Sequence, residues 1–145
     1  MRITEIDLQC EDVMWFGIDN KNHIFECTSA GCGNVPEFVC QSRENTEFIL
    51  DFFMEELKSF TQEKLLVEYA ETNQLLNDCI LLSRKGIYCF DVHKENEQQY
   101  VKITEPVNPL VYDTLPSKIK EKFCDNRVDT DVIKEKVICV KHAYG

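Results

Sequence analysis

The sequence predicts an α+β fold: an antiparallel sheet built from two or more hairpins, with helices packed on one side. Three observations predict it. Two pairs of runs rich in aromatic and β-branched residues are each joined by a polar turn. Between those pairs the apolar spacing changes to a helical period. No repeat, linker or low-complexity segment interrupts the 145 residues, so residues 1–145 read as one domain.

The first hairpin is "VMWFGIDNKNHIFECTS", with strands over Trp15–Asp19 and His23–Thr28 and the turn residues "DNKN" between them. "SAGCGNVP" then breaks the sheet, because Gly31 and Gly33 allow unusual backbone angles and Pro36 excludes a helix just before it. From Glu44, "NTEFILDFFMEELKSF" carries a broad apolar face through Phe48, Ile49, Phe52, Phe53 and Leu57, with Asn45 or Thr46 as cap. A second helical stretch follows through "KLLVEYAETNQLLNDCILLSRKG", with a break near Glu71–Asn73. Leu75, Leu76, Cys79 and Leu82 line one of its faces, and Gly86 stands where a C-terminal cap belongs. "IYCFDV" to His93 and "QQYVKIT" form the second hairpin, joined by "KENE". "EPVNPLVYDTLP" is a proline-punctuated crossing, Pro116 opens a short helix, and the tail adds a last short helix or an edge strand.

Composition narrows the function classes. An apolar share of 43% and a charged share of 29% suit a globular core rather than disorder. No run is long enough to span a membrane, and the first residues lack a basic start and apolar run, so the expected compartment is the cytoplasm. Several of the 8 cysteines sit in apolar runs such as "NDCILL", "IYCFDV" and "VICV", where reduced cysteine packs as a small hydrophobe. Residues 1–60 hold 4 basic and 12 acidic side chains, a net of −8 out of −10 for the whole chain. A field of that sign repels phosphate backbones and anionic lipid, and it attracts a basic protein. The expected partner is therefore another protein of basic character, with no nucleic acid and no membrane.

"WFGID", "TSAGCGNVPEF", "SRKGIYCFD" and "YVKITEPVNPL" leading to "LP" occur in one order from Trp15 to Pro116. In this the chain resembles small, uncharacterised bacterial proteins of about its size, some of which look like immunity proteins of polymorphic-toxin loci. Such families bring no catalytic motif. What the resemblance implies is binding: an immunity-like protein neutralises a toxin by covering its active surface.

Catalytic and metal readings compete with this one. Cys27, Cys32 and Cys40, with His23 close by, lack the short Cys-x-x-Cys knuckle of zinc sites, so core and loop cysteines are the stronger reading, and neither a metal nor another cofactor is expected. Cys32 between two glycines offers a thiol beside backbone N–H groups, but acidic surroundings raise a thiol pKa rather than lower it. The glycine loop lacks the Lys-Ser/Thr of a phosphate cradle. The partner-binding residues expected are Trp15, Asp19, Glu26, Asp51 and Glu55, with Trp15 either an exposed anchor or part of the core. The alternative is a small enzyme or metal-binding protein using the Cys27/Cys32/Cys40 region.

Overall fold

A computed structural model describes residues 1–66, 74–93 and 95–145, and of Gln74 and Leu75 the backbone only. Thr4 opens α1 (Glu5–Cys10) with a capping box: its hydroxyl accepts the Asp7 N–H at 3.1 Å, and the Asp7 carboxylate accepts the Thr4 N–H at 2.9 Å. Next come β1 (Met14–Ile18) and β2 (Ile24–Thr28), which pair antiparallel from Met14↔Thr28 to Ile18↔Ile24 as the sequence predicts. The turn between them is organised by Asp19, whose Oδ1 accepts the N–H groups of Lys21 (2.9 Å) and His23 (2.8 Å). After the glycine loop, Pro36 is followed by a single helical turn, α2 (Glu37–Cys40), which the sequence reading did not anticipate.

The helix expected from Glu44 begins slightly earlier, as α3 (Arg43–Asp51). Ser42, rather than Asn45 or Thr46, caps it by accepting the Asn45 N–H at 3.1 Å. It then widens into a π-helical turn over Phe52–Glu56, closed by Leu57 N–H to the Phe52 carbonyl at 3.0 Å. The buried Lys85 ammonium holds this end, donating to the carbonyls of Phe53 (2.8 Å) and Met54 (2.7 Å).

The second helical stretch starts later than its periodicity suggests. Lys64 and Leu65 belong to a short strand, β3 (Glu63–Leu65), because they pair antiparallel with Glu105 and Thr104. The expected break near Glu71–Asn73 and the side chain of Leu75 lie outside the described residues. The helix α4 (Gln74–Arg84) buries Leu76, Cys79 and Leu82. It ends in a Schellman motif, with Ile87 N–H bonded to the Leu82 carbonyl and Gly86 N–H to the Ser83 carbonyl. Gly86 takes the left-handed φ of +89° that this ending requires.

β4 (Tyr88–Val92) and β5 (Gln99–Pro106) form the second hairpin as expected. Tyr112–Thr114 makes one 3-10 turn, and Pro116 opens α5 (Ser117–Phe123). Of the two readings of the tail, the edge strand holds: β6 (Val137–Cys139) pairs with the first residues of β5. β3 pairs with the last residues of β5, so the two short strands share its outer edge.

The sheet has six strands in the order β1-β2-β4-β5-β3, with β6 also on β5. It is mixed, not antiparallel throughout: β2 and β4 run parallel, from Phe25↔Tyr88 to Thr28↔Asp91. Two hairpins can be joined side by side in parallel only if the chain between them crosses back along the sheet. Residues 29–87 make that crossing and carry α2, α3, β3 and α4. The result is two apolar clusters, one on each face. Trp15, Phe25, Phe90 and Tyr100 gather with Leu8 of α1 and Val39 of α2. Phe16, Ile24 and Cys89 gather with Ile49 of α3, Leu82 of α4 and Phe123 of α5. Residues of α3, α4 and α5 belong to one cluster and residues of the short α1 and α2 to the other. Among the described residues, no helix is long and apolar enough to cross a membrane.

Gly86 provides a direct test of the crossover's end. An added Cβ would lie 2.5 Å from the Leu110 backbone nitrogen, at a φ of +89°. Gly86→Ala should therefore cost more than ~1 kcal/mol in urea unfolding. A midpoint unchanged from the wild type would show that this turn bears no strain.

Candidate functional site

The five residues expected to bind a partner are not on one surface. Trp15 is only 1% exposed and packs edge-on against Phe25, Phe38 and Tyr100, with ring centroids 5.8–5.9 Å apart. It is core, and no anchor. Asp19 is 1% exposed; beyond the two hairpin N–H groups on Oδ1, its Oδ2 accepts the Val132 N–H at 3.0 Å. It ties the first hairpin to the C-terminal segment. Glu26 is fully buried, on the same face of β2 as Ile24. The physical reason is shared: the sheet is covered on both faces, so alternation along β1 and β2 exposes neither set of side chains. Asp51 and Glu55 remain on the surface.

Those two extend an acidic face. Glu44, Glu47, Asp51 and Glu55 are exposed at spacings of three, four and four along α3 and its π turn, which stacks them on one side. The amino terminus pairs with Glu44 at 2.5 Å and holds its carboxyl below the ordinary value. Arg43 is occupied by Glu11 (3.0 Å) and Asp7 (3.1 Å), and Glu47 lies at the 4.0 Å limit from it. Among the described residues, Asp51 and Glu55 form no ion pair. Beside Glu47, a groove of about 210 Å³ runs between the end of α1 and α3. Ile3, Val13, Met14 and Leu50 line it together with Glu11, Asp12, Thr46 and Glu47, and with Arg43, which already pairs with Glu11. An apolar lining under acidic side chains suits a long basic side chain, whose stem is apolar and whose head is charged.

The glycine loop is a tied corner. Ala30 and Gly31 both take positive φ, at 52° and 77°. The N–H groups of Cys32 (3.1 Å) and Gly33 (2.8 Å) donate back to the Ser29 carbonyl, and Ala30 N–H donates to Asp12. The backbone donors that an oxyanion would need are therefore partly consumed. Cys32 does share a small cavity with Glu97 and His142. Its thiol, however, is directed to the Ser29 carbonyl at 3.7 Å, and desolvation with the charges of Glu97, Asp91 and Asp12 pushes its pKa up. His142 Nδ1 accepts the Val35 N–H at 3.0 Å, which fixes that ring as a structural acceptor. A thiol held protonated, with no base bonded to it, is not an activated nucleophile.

A larger cavity, about 570 Å³, opens between Pro36–Phe38 and the segments 127–129 and 139–143. Two of its charged groups already have partners: Glu37 is bidentate with Arg2, and Arg127 donates to Asn22. Among the described residues, Cys27, Cys32 and Cys40 form no cluster of metal-ligating atoms; Cys27 and Cys40 are buried in the apolar cluster around Trp15, whereas Cys32 is exposed.

A different set does converge. One carboxylate oxygen of Glu26 and the sulfurs of Cys79 and Cys89 lie within 4.8 Å of one another, all from fully buried residues. Thr28 Oγ1 donates to Glu26 Oε1 at 2.5 Å, while Oε2 has no partner. The Cys79 carbonyl accepts from Cys89 Sγ (3.6 Å) and Thr104 Oγ1 (3.3 Å). Burial pushes the Glu26 carboxyl well above the carboxylate range, and the neighbouring Cys89 and burial push the Cys79 thiol up. The sequence reading placed Cys79 and Cys89 in the core but missed their meeting with Glu26. In "HIFECTS" Glu26 shares a strand face with Ile24, which hints at its burial, but no local signal points to Cys79 or Cys89.

No protein-family model matches the chain, and neither the curated proteins nor the solved structures yield a match.

The burial pattern makes the thiols separable. Cys10, Cys32, Cys124 and Cys139 are exposed, and Cys27, Cys40, Cys79 and Cys89 are buried. In the reduced native protein a colorimetric thiol reagent should titrate the 4 exposed cysteines quickly and all 8 only after unfolding. Rapid titration of all of them in the native state would contradict the buried placements. Gly31→Ala, at an open left-handed position, should cost about 1 kcal/mol in the same unfolding assay used for Gly86.

Proposed function

We propose that this chain is a non-catalytic protein-binding domain that docks a basic partner through the acidic face of α3, in the manner of a cytoplasmic immunity-like protein. The observation that carries the reading is the run of Glu47, Asp51 and Glu55, exposed at helical spacing, with Glu47 beside an apolar groove that carries three acids and Arg43. Like charges four residues apart on a helix destabilise it by about 0.2–0.5 kcal/mol per pair. A basic surface laid along the helix removes that repulsion. The π turn supports the same reading, since such turns re-aim side chains and concentrate at functional sites. Of the acids first considered, Asp51 and Glu55 keep their docking role, and Asp19 and Glu26 act within the fold.

The charge of this face steers encounter more than it holds a complex, so its signature is kinetic. With a basic partner recovered from the native cell and purified, association should slow as salt rises. Glu47→Lys, Asp51→Lys and Glu55→Lys together should leave thermal melting nearly unchanged and slow association at low salt about tenfold or more. A control reversing Glu95, Asp125 and Glu135, exposed acids elsewhere on the chain, should do much less. Equal losses from both sets, or no dependence on salt, would show that the acidity serves solubility alone.

A further inference from the structure

We propose that Glu26, Cys79 and Cys89 form a buried binding site for a thiophilic divalent cation of the zinc class. The site is separate from the α3 face and does not depend on its role. Three elements supply it: β2 gives Glu26, α4 gives Cys79 and β4 gives Cys89. The crossover between the parallel strands brings together residues far apart in sequence, so no short motif announces them.

The strongest observation is Glu26 Oε2, a fully buried oxygen with no hydrogen-bond donor. The other charged groups of the core are served. Asp19 accepts three backbone N–H groups, Lys85 donates to two carbonyls, and Lys102 donates to the Val132 carbonyl at 2.5 Å and lies 3.5 Å from Glu105. Glu26 alone among these has an oxygen without a hydrogen bond, and its carboxylate lies beside two sulfur atoms. A buried oxygen left in that state is costly, and a cation is the partner that two neighbouring cysteines would help to hold.

Geometry and donor chemistry agree. Zinc bonds of ~2.3 Å to sulfur and ~2.0–2.2 Å to oxygen place tetrahedral ligands roughly 3.5–3.8 Å apart. The observed donors lie within 4.8 Å of one another, so small side-chain adjustments suffice. Two thiolates select zinc over magnesium or calcium, which prefer oxygen ligands throughout. Neighbouring groups support these ligands as well. Thr28 orients the carboxylate through Oε1, and Thr104 Oγ1 bonds the carbonyl of Cys79 and fixes that turn of α4; the Cys89 S–H bond to the same carbonyl is given up when its thiolate forms. Binding exchanges protons for the ion: both thiols and the carboxyl release theirs, and these three side chains hold the cation.

The test uses the full chain with Cys10, Cys32, Cys124 and Cys139 changed to Ser, which removes the exposed thiols and leaves the buried cluster intact. Expressed with added zinc, this protein should retain about one zinc per chain through gel filtration. After chelation, Co²⁺ should restore a thiolate-to-cobalt charge-transfer band in the near-ultraviolet, and zinc should then abolish it. Glu26→Gln, an isosteric change, should reduce retained zinc several-fold, and Cys79→Ser or Cys89→Ser should remove the band. Zinc far below one per chain together with no band in excess Co²⁺ would overturn the proposal. So would stoichiometric zinc that survives Cys79→Ser with Cys89→Ser. If those variants fail to fold, the cobalt spectrum of the protein with the cluster intact decides alone.

Discussion

The parallel pairing of β2 with β4 is the constraint on which the rest of the molecule depends. Each hairpin could form locally, since its strands are neighbours in sequence. Joining them side by side in parallel obliges residues 29–87 to leave one end of β2 and return at the other. That segment contains α3 and α4, which the crossing lays over one face, while α1 and α2 contribute to the cluster on the other. Once both faces are covered, β2 has no solvent side, and every residue from Ile24 to Thr28 is buried.

Two-sided burial explains how the polar residues of this core behave. In a half-solvated hairpin, Asp19 and Glu26 would be ordinary surface acids. Here each must find compensation inside. Asp19 finds it in backbone N–H groups and so becomes the knot between the first turn and the segment at Val132. Lys85 and Lys102 find it in carbonyls, and in doing so secure the π turn after α3 and the segment before β6. Glu26 finds it only in part, and its carboxylate lies beside two thiols. The same constraint thus yields rigid ties in three places and a chemically unfinished group in a fourth.

It also separates the molecule into a buried chemistry and an exterior field. The acids that reach solvent in the N-terminal half follow the exposed side of α3 and the rim between α1 and α3, where Arg43 and the amino terminus offset only some of them. The glycine loop belongs to neither part. Its N–H groups, the Asn34 carbonyl bonded by Tyr100, and the Val35 N–H bonded by His142 all serve to turn the chain from β2 into α2. Glycine there answers a backbone need at Gly31, and no ligand is required to account for it.

Period and turn chemistry were enough to read both hairpins, the apolar face of α3, the cap at Gly86 and the short helix after Pro116, because each is decided by residues within a few positions of one another. The capping box at Thr4 was equally local and passed unnoticed only because α1 is so short. What the sequence by itself determined is therefore the longer elements and the acidic character of the first half; of the cysteines in apolar runs, Cys79 and Cys89 are buried whereas Cys139 is exposed. What only the tertiary structure decided is the direction in which the two hairpins meet, and with it which side chains are buried. Alternation along a strand assigns residues to two faces but does not say whether both are covered; that depends on chain more than fifty residues away. Asp19 and Glu26 consequently read as candidate surface residues and fold as core, Trp15, open between anchor and core in the sequence, is core, and Glu26 meets Cys79 and Cys89 through a pairing that no local pattern encodes.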